Sequence, residues 1–245
     1  SGIGTGGRES SALQDAATAG MVRRQRRCRH AAVMAGTFSL PAMPRSLPSR
    51  PRTTPRLVLR PFRRRDVEPL VRAVHASIPE LSAWLPWAHA AYGRADALRF
   101  IRDSTAAWAE GRAHDFAVRN HAGKETHLGN VSVWPTSRRE QSGEIGYWIA
   151  TTATGMGVAT ESTARVVQVA FEELGMHRVI LRVAVGNRGS ERVAEKLGFV
   201  REGLLRKEVL VHGEWMDHSL WGMLEEEYPG HKTRYLDHGW LEPSP

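Results

Sequence analysis

Gly143-Glu144-Ile145-Gly146-Tyr147-Trp148-Ile149-Ala150, then residues 151–154, then Gly155-Met156-Gly157-Val158-Ala159-Thr160-Glu161, is the stretch that decides the fold. Its first half alternates as a strand does, with Glu144, Gly146 and Trp148 on one face and Ile145, Tyr147 and Ile149 on the other. Its second half is a glycine-rich turn running into a helix. Glycine permits positive φ and carries no side chain, so consecutive backbone N–H groups can converge on one point. That point lies at a helix N-terminus, where unpaired donors and the helix dipole favour an anion, and a pyrophosphate is the natural guest. The dinucleotide-binding pattern needs a third glycine three residues later, where Thr160 stands, and the Lys-Ser/Thr of a nucleoside-triphosphate loop is missing.

Outward from this stretch, the apolar periods alternate between the two regular types. On the N-terminal side, Arg56–Phe62 alternates as a strand, and Asp66 caps a helical pattern carrying Leu70, Val71 and Val74. Two further helical periods follow, over Leu81–Trp87 and over Ala95–Trp108, the second with Leu98, Ile101 and Thr105 on one face. Short alternating runs at Ala113–Arg119 and His127–Trp134 precede the strand at Glu144, with turns at Gly123 and at Ser137–Ser142. On the C-terminal side the pattern predicts helix (Val158–Leu174), strand (Arg178–Val185), helix (Ser190–Leu197) and strand (Phe199–Val211). A turn at Gly213 then leads to a last strand over Trp215–Leu224. This mixed order predicts an α/β fold, one sheet with helices on both faces.

The bulk composition removes several classes of function. Of the net charge of +8, residues 1–50 carry +6 (eight Arg, no Lys, one Asp, one Glu), so the body makes no electrostatic case for a polyanion partner. Nucleic acid is expected only through that basic, Pro/Arg/Ser-rich tail, which has no hydrophobic period and reads as disordered. The tail suits a targeting peptide or a polyanion-binding arm, but a true start at Met34 or Met43 is the preferred reading, because no apolar segment follows the Arg block. The single cysteine, Cys28, rules out a disulfide framework, and the eleven histidines show no metal-ligand spacing, so no metal is expected. No apolar run is long enough for a membrane span, and a soluble, cytoplasmic protein is expected.

Taken together, the motifs resemble the GNAT superfamily of N-acetyltransferases, in its RimJ/RimL-like branch. The resemblance rests on Gly155–Glu161, Glu144–Ile149, Asn187-Arg188-Gly189-Ser190, Glu195-Lys196-Leu197-Gly198-Phe199, Glu202-Gly203 and the opening Thr54-x-Arg56-Leu57-x-Leu59-Arg60. It covers residues 53–226 and implies a mixed, largely antiparallel GNAT-like sheet. The domain expected is 53–230, between a tail of 1–52 and a C-terminal extension of 231–245. The resemblance implies acetyl-CoA as co-substrate, its diphosphate cradled by Gly155, Met156, Gly157, Val158, Ala159 and Thr160 and its pantetheine arm met by Asn187. It further implies Glu144 as general base, directly or through water, and Ser190 as proton donor to the departing thiolate. The superfamily often has Gln or Arg three residues before the first loop glycine; Thr152 stands there and makes no such phosphate contact.

Each of these residues also has a plainer structural reading. Glu144 is an exposed charge at a strand end, Ser190 an N-cap, Asn187 a turn residue, and Glu161 a packing or capping carboxylate that would repel a diphosphate. Trp84, Trp87, Trp108 and Trp134 line an acceptor cleft or fill the core. Asp217 and His218 are placed near substrate by position alone. The function implied is direct acetyl transfer to a primary amine, a protein N-terminus such as a ribosomal one or a small molecule, with a homodimer as the family-level expectation. A non-catalytic acyl-CoA-binding module with a nucleic-acid-binding tail, or an enzyme using another donor such as succinyl-CoA, is the alternative.

Overall fold

The structure, a computed structural model, describes residues 46–121 and 126–243. The tail through residue 45 and the turn expected at Gly123 lie outside the described residues. The strands are β1 (Arg52–Thr53), β2 (Leu57–Pro61), β3 (His114–Asn120), β4 (Gly129–Ser137), β5 (Ser142–Ile149), β6 (Arg178–Ala184), β7 (Val200–Val211) and β8 (Glu214–Leu224). The helices are α1 (Val67–His75), α2 (Ile78–Leu81), α3 (Arg94–Glu110), α4 (Val158–Gln168), α5 (Arg188–Leu197) and α6 (Tyr228–Asp237). All eight strands join one sheet in the order β1-β2-β3-β4-β5-β6-β8-β7, antiparallel except for the β5–β6 pair.

Two apolar clusters cover the sheet. Ile145 belongs to the cluster that holds Val158, Ala164, Val167 and Leu197 of α4 and α5, with Tyr147 and Ile149 packed against it. Trp148 belongs to the other, with Leu70, Val74, Ala97 and Ile101 of α1 and α3. The two faces expected for β5 are therefore the two faces observed, because a strand alternates its side chains strictly.

Several elements differ from expectation. The period over Leu81–Trp87 is one helical turn, Ile78–Leu81, followed by turns; Pro86 cannot continue a helix and biases Leu85 away from helical angles. The buried face of α3 runs through Ala97, Ile101, Ser104 and Ala107, while Thr105 is exposed and its hydroxyl donates to the Ile101 carbonyl at 2.8 Å. After α4 the chain winds on as a π-helix over Val169–Glu173. The sequence pattern predicts no element past Leu224, yet helix α6 follows. Pro229 lies in its first turn, where no N–H is needed, and Tyr235 is wholly buried with its hydroxyl on the Leu197 carbonyl at 2.5 Å. Buried Leu47 and Arg52 at one end, and Tyr235 and Leu241 at the other, draw parts of the expected tail and extension into the body. Among the described residues, no helix is long and apolar enough to cross a membrane.

Asp66 does not cap α1 through its side chain. Its buried carboxylate accepts two bonds from Arg60 (2.7 Å each), one from Arg119 (2.7 Å) and one from the Arg63 backbone N–H (2.7 Å). Burial pushes this carboxyl up, but the guanidinium of Arg60, the Arg63 N–H and the charge of Arg119 outweigh it and hold the group below its ordinary value.

Two histidines are buried neutral. Nε2 of His114 accepts from the Leu47 N–H at 3.3 Å, and His127 meets Asn130 Oδ1 at 2.7 Å. Burial, with the charge of Arg52 near His114, pushes each down to about 4. The unfolded chain, with histidines near ~6.5, then binds more protons than the folded chain between those values. Stability is therefore expected to fall as pH drops from about 6.5 towards about 4. Thermal unfolding across that range checks this; a midpoint that stays flat would overturn it, and His127→Phe should shallow the slope.

Candidate active site

The parallel pair β5–β6 is the opening of the site. The strands pair at Ser142–Arg178, Gly143–Val179 and Glu144–Ile180, and the pairing stops there. Beyond this point β5 keeps its register with β4 as far as Ile149–Gly129, and β6 keeps its register with β8 as far as Ala184–His218. A gap therefore opens in the sheet between Ile145–Ile149 and Leu181–Ala184. Helix α4 follows β5 and α5 follows β6, so parallel strands bring both helix N-termini to the same end, the place where open α/β sheets hold ligands. Tyr147 bridges towards α5, its hydroxyl on the Ser190 carbonyl at 3.4 Å, and burial pushes it up to about 12, so it is a neutral phenol.

At the head of α4, Gly155 and Gly157 have φ of 76° and 78°, the left-handed region that glycine tolerates best. Glu161 N–H makes the helix's first backbone bond, to Gly157 O at 3.0 Å, so the N–H groups of Val158, Ala159 and Thr160 have no intrahelical acceptor. Val158 and Thr160 bury their side chains and can offer a ligand only backbone, whereas Met156 is 61% exposed. Thr152 is exposed. Glu161 is wholly buried, accepting from the Thr54 hydroxyl (2.5 Å), the Arg56 N–H (3.1 Å) and Arg56 Nε (2.6 Å). The packing reading of Glu161 is thus the observed one, and Arg56 Nη1 also reaches the Met156 carbonyl at 3.0 Å.

At the head of α5, the N-cap is Asn187, not Ser190. Asn187 Oδ1 accepts from the Ser190 backbone N–H at 3.1 Å, which places Ser190 at the third helical position. The cap bond uses the Ser190 N–H and leaves its hydroxyl proton free for another acceptor, while Asn187 keeps its amide N–H groups as donors.

Glu144 is buried, contrary to the plain reading of an exposed charge. It forms a two-pronged pair with Arg182, 2.9 Å from Nε and 2.9 Å from Nη2, and Arg182 Nη1 continues to Glu208 at 2.6 Å. Burial holds the Glu144 carboxyl above its ordinary value against the pull of Arg182. His218, opposite Ala184 on β8, lies buried on this same face; burial lowers it, and its Nδ1 has no hydrogen-bond partner among the described residues. Asp217 instead accepts the Lys207 N–H at 2.7 Å, holding the irregular β7 backbone.

The tryptophans divide between cleft and core. Trp134 lies over Gly146, where an added β-carbon would sit 3.1 Å from its ring, and Trp84 reaches Gly186 just past β6. Trp87 is 39% exposed, and its ring centroid lies 5.8 Å from that of Trp148. Trp108 is buried against Phe116 with its indole N–H on the Leu47 carbonyl, and takes no part in the cleft. Sequence reasoning gave no role to Arg56, Arg182 or Glu208. An arginine inside the apolar run of β6 was the available signal for Arg182, since a buried strand rarely carries an unpaired charge.

The strand gap, the glycine loop and the two helix heads meet in one open α/β sheet, with the first donors of α4 lacking intrahelical acceptors at the end of the gap. The acetyltransferase (GNAT) domain matches residues 56–200, and the chain belongs to this family. It is 36% identical over 104 residues to YdaF and 40% over 101 residues to YjcK, both of Bacillus subtilis. These alignments span 57% and 56% of the two relatives, and 42% and 41% of this chain. Mycobacterium smegmatis RimJ, solved in complex with CoA-disulfide, superposes with a TM-score of 0.68 at 28% identity, covering 75% of this chain and 89% of that one.

If Asn187 is the cap, Asn187→Ala is expected to cost about 1 kcal/mol of stability and Ser190→Ala much less. Chemical denaturation of the two variants checks the assignment; equal losses would refute it.

Proposed function

We propose that this chain is an N-acetyltransferase that moves an acetyl group from acetyl-CoA to a primary amine in a ternary complex, in the cytoplasm. The observation that carries this reading is the loop at Gly155–Thr160. Two left-handed glycines and three N–H groups without intrahelical acceptors face one end of an open strand gap. The fit to a diphosphate is chemical: the donors are backbone, the helix dipole adds positive potential, and the Glu161 charge is offset by Arg56. Acetyl-CoA, when bound, supplies an activated thioester acyl group. Because the loop addresses the diphosphate and not the acyl group, a longer acyl donor is a matter for the same titration.

The chain's own residues then have distinct work. Backbone N–H groups of residues 158–160 hold the diphosphate, and the Asn187 amide donates to the pantetheine arm. Side-by-side binding lowers the barrier through entropy already lost on binding. Glu144, with lone pairs remaining beyond its Arg182 bonds, takes the ammonium proton through a water, and burial, by holding its carboxyl above the ordinary value, strengthens it as a base. The amine nitrogen bonds to the carbonyl carbon, the C–S bond breaks, the Ser190 hydroxyl gives its proton to the departing sulfur, and the second proton leaving the nitrogen returns through water to the Ser190 oxygen.

The charges on the acceptor face favour a peptide N-terminus. Glu144 and Glu208 share one guanidinium, and His218 is held towards neutrality, so the cluster carries about one net negative charge. That matches a single ammonium; a polyamine would want more. The partly exposed Trp87 and half-buried Trp84 add apolar surface for the residues behind the amine.

Calorimetric titration with acetyl-CoA, alongside Gly155→Asp/Gly157→Asp, is the first test: saturable binding lost in the double variant is expected, and folded wild type that fails to bind would sink the proposal. With peptide and spermidine acceptors compared at saturation, peptide turnover should dominate. Glu144→Gln should lower kcat by about 10²–10⁴-fold while leaving acetyl-CoA affinity nearly unchanged. Its activity should also lose the acid limb of the pH profile, because the wild-type base works only when deprotonated.

A further inference from the structure

Thr152, exposed and uncharged, stands three residues before the first loop glycine, yet a guanidinium stands at the loop from another part of the fold. Arg56 leaves the β1–β2 connection, and its Nη2 would lie 3.2 Å from a β-carbon added at Gly157. It is anchored on three sides: Nε on Glu161 (2.6 Å), Nη2 paired to the same oxygen (2.5 Å), and Nη1 on the Met156 carbonyl (3.0 Å). Its side chain is 55% exposed while Glu161 is fully buried. A guanidinium has five N–H donors, so these contacts leave others for a ligand.

We infer that Arg56 is a diphosphate-binding residue of this site, with Glu161 as the buried carboxylate that aims it. This rests on the acetyl-CoA reading above. The pair is oriented, its positive end at the loop surface and its negative end behind. Glu161 sits in the first turn of α4, where a bare buried carboxylate would oppose an incoming diphosphate across a low-dielectric interior. Arg56 cancels that charge and offers N–H groups of its own in a fixed position. An arginine held in place by a carboxylate loses less freedom on binding phosphate than a free one. The loop also gains a fixed shape, since Arg56 ties down the Met156 carbonyl.

Three variants separate contact from scaffolding: Arg56→Met, Glu161→Gln and the double Arg56→Met/Glu161→Gln, each titrated with acetyl-CoA in low and high salt. Arg56→Met should weaken binding by about tenfold to a hundredfold and flatten its salt dependence, because both a contact and a charge balance are lost. The double variant should regain part of that loss, since the uncompensated carboxylate is gone. Glu161→Gln, which keeps the cation, should bind within about threefold of wild type. Arg56→Lys should recover part of the affinity, as charge without the planar fork. Unchanged affinity in Arg56→Met overturns the inference while leaving the acetyl-CoA reading standing. A double variant as weak as Arg56→Met, with unaltered salt dependence in both, also overturns it by reducing Arg56 to scaffolding. Failure of the wild type to bind removes both readings together.

Discussion

A three-residue parallel contact governs the molecule. Strands β5 and β6 share register only from Ser142–Arg178 to Glu144–Ile180, and each then follows its antiparallel neighbour away from the other. Backbone groups on the facing edges past this point lose their sheet partners, and unpaired backbone seeks other acceptors and donors. An extended ligand with amide groups can satisfy such edges. The same contact fixes direction: because the strands run parallel, the helices that follow them begin at one end of the gap. If β6 ran the other way, Asn187 and Ser190 would lie at the far end from Gly155 and Gly157. Tyr147 then sets the spacing, spanning from β5 to the first turn of α5.

How much of this could be read from residues depends on the range of the interaction. The two faces of β5 were legible because alternation is local, and the glycine loop because positive φ has few residue solutions. Helix α6 was hidden by Pro229, which breaks helices in the interior but is welcome in a first turn. The assignment of Ser190 as a cap failed for a local reason as well. Two good capping residues lie three apart, and composition cannot say which one begins the helix. Arg56 with Glu161, and Glu144 with Arg182, lie 105 and 38 residues apart, and no periodicity reports such pairs. Trp108 and Trp134 show the same limit: one fills the core and the other covers Gly146, and only the assembled sheet separates them.

The buried carboxylates bring these observations together. Asp66, Glu144 and Glu161 are each almost inaccessible, and each is met by an arginine in short, directed bonds. Burying such pairs contributes little net stability, since desolvation offsets attraction, but removing one partner costs roughly 3–5 kcal/mol. Their value is therefore geometric. Asp66 gathers Arg60 and Arg119 from β2 and β3 and locks the start of α1 to the sheet. Glu144 and Glu161 do the equivalent at the two sides of the strand gap. One fixes an arginine at the point where β5 and β6 part, and the other fixes an arginine at the lip of the glycine loop.

The two pairs at the gap differ in which partner meets solvent, and that difference sorts their chemistry. In the Arg56–Glu161 pair the acid is fully buried and the cation is open, so the pair presents positive charge outward, as an anion site requires. In the Glu144–Arg182 pair both members are largely enclosed, and Glu208 supplies a second acid to the same guanidinium. The balance there is negative, as a site for an ammonium requires. The sheet opens between these two pairs, one where β5 and β6 part and one at the glycine loop beyond the end of β5, and the charges they present have opposite sign. Neither polarity follows from the net charge of the chain. One follows from which end of an ion pair the fold leaves uncovered, the other from two carboxylates sharing a single guanidinium.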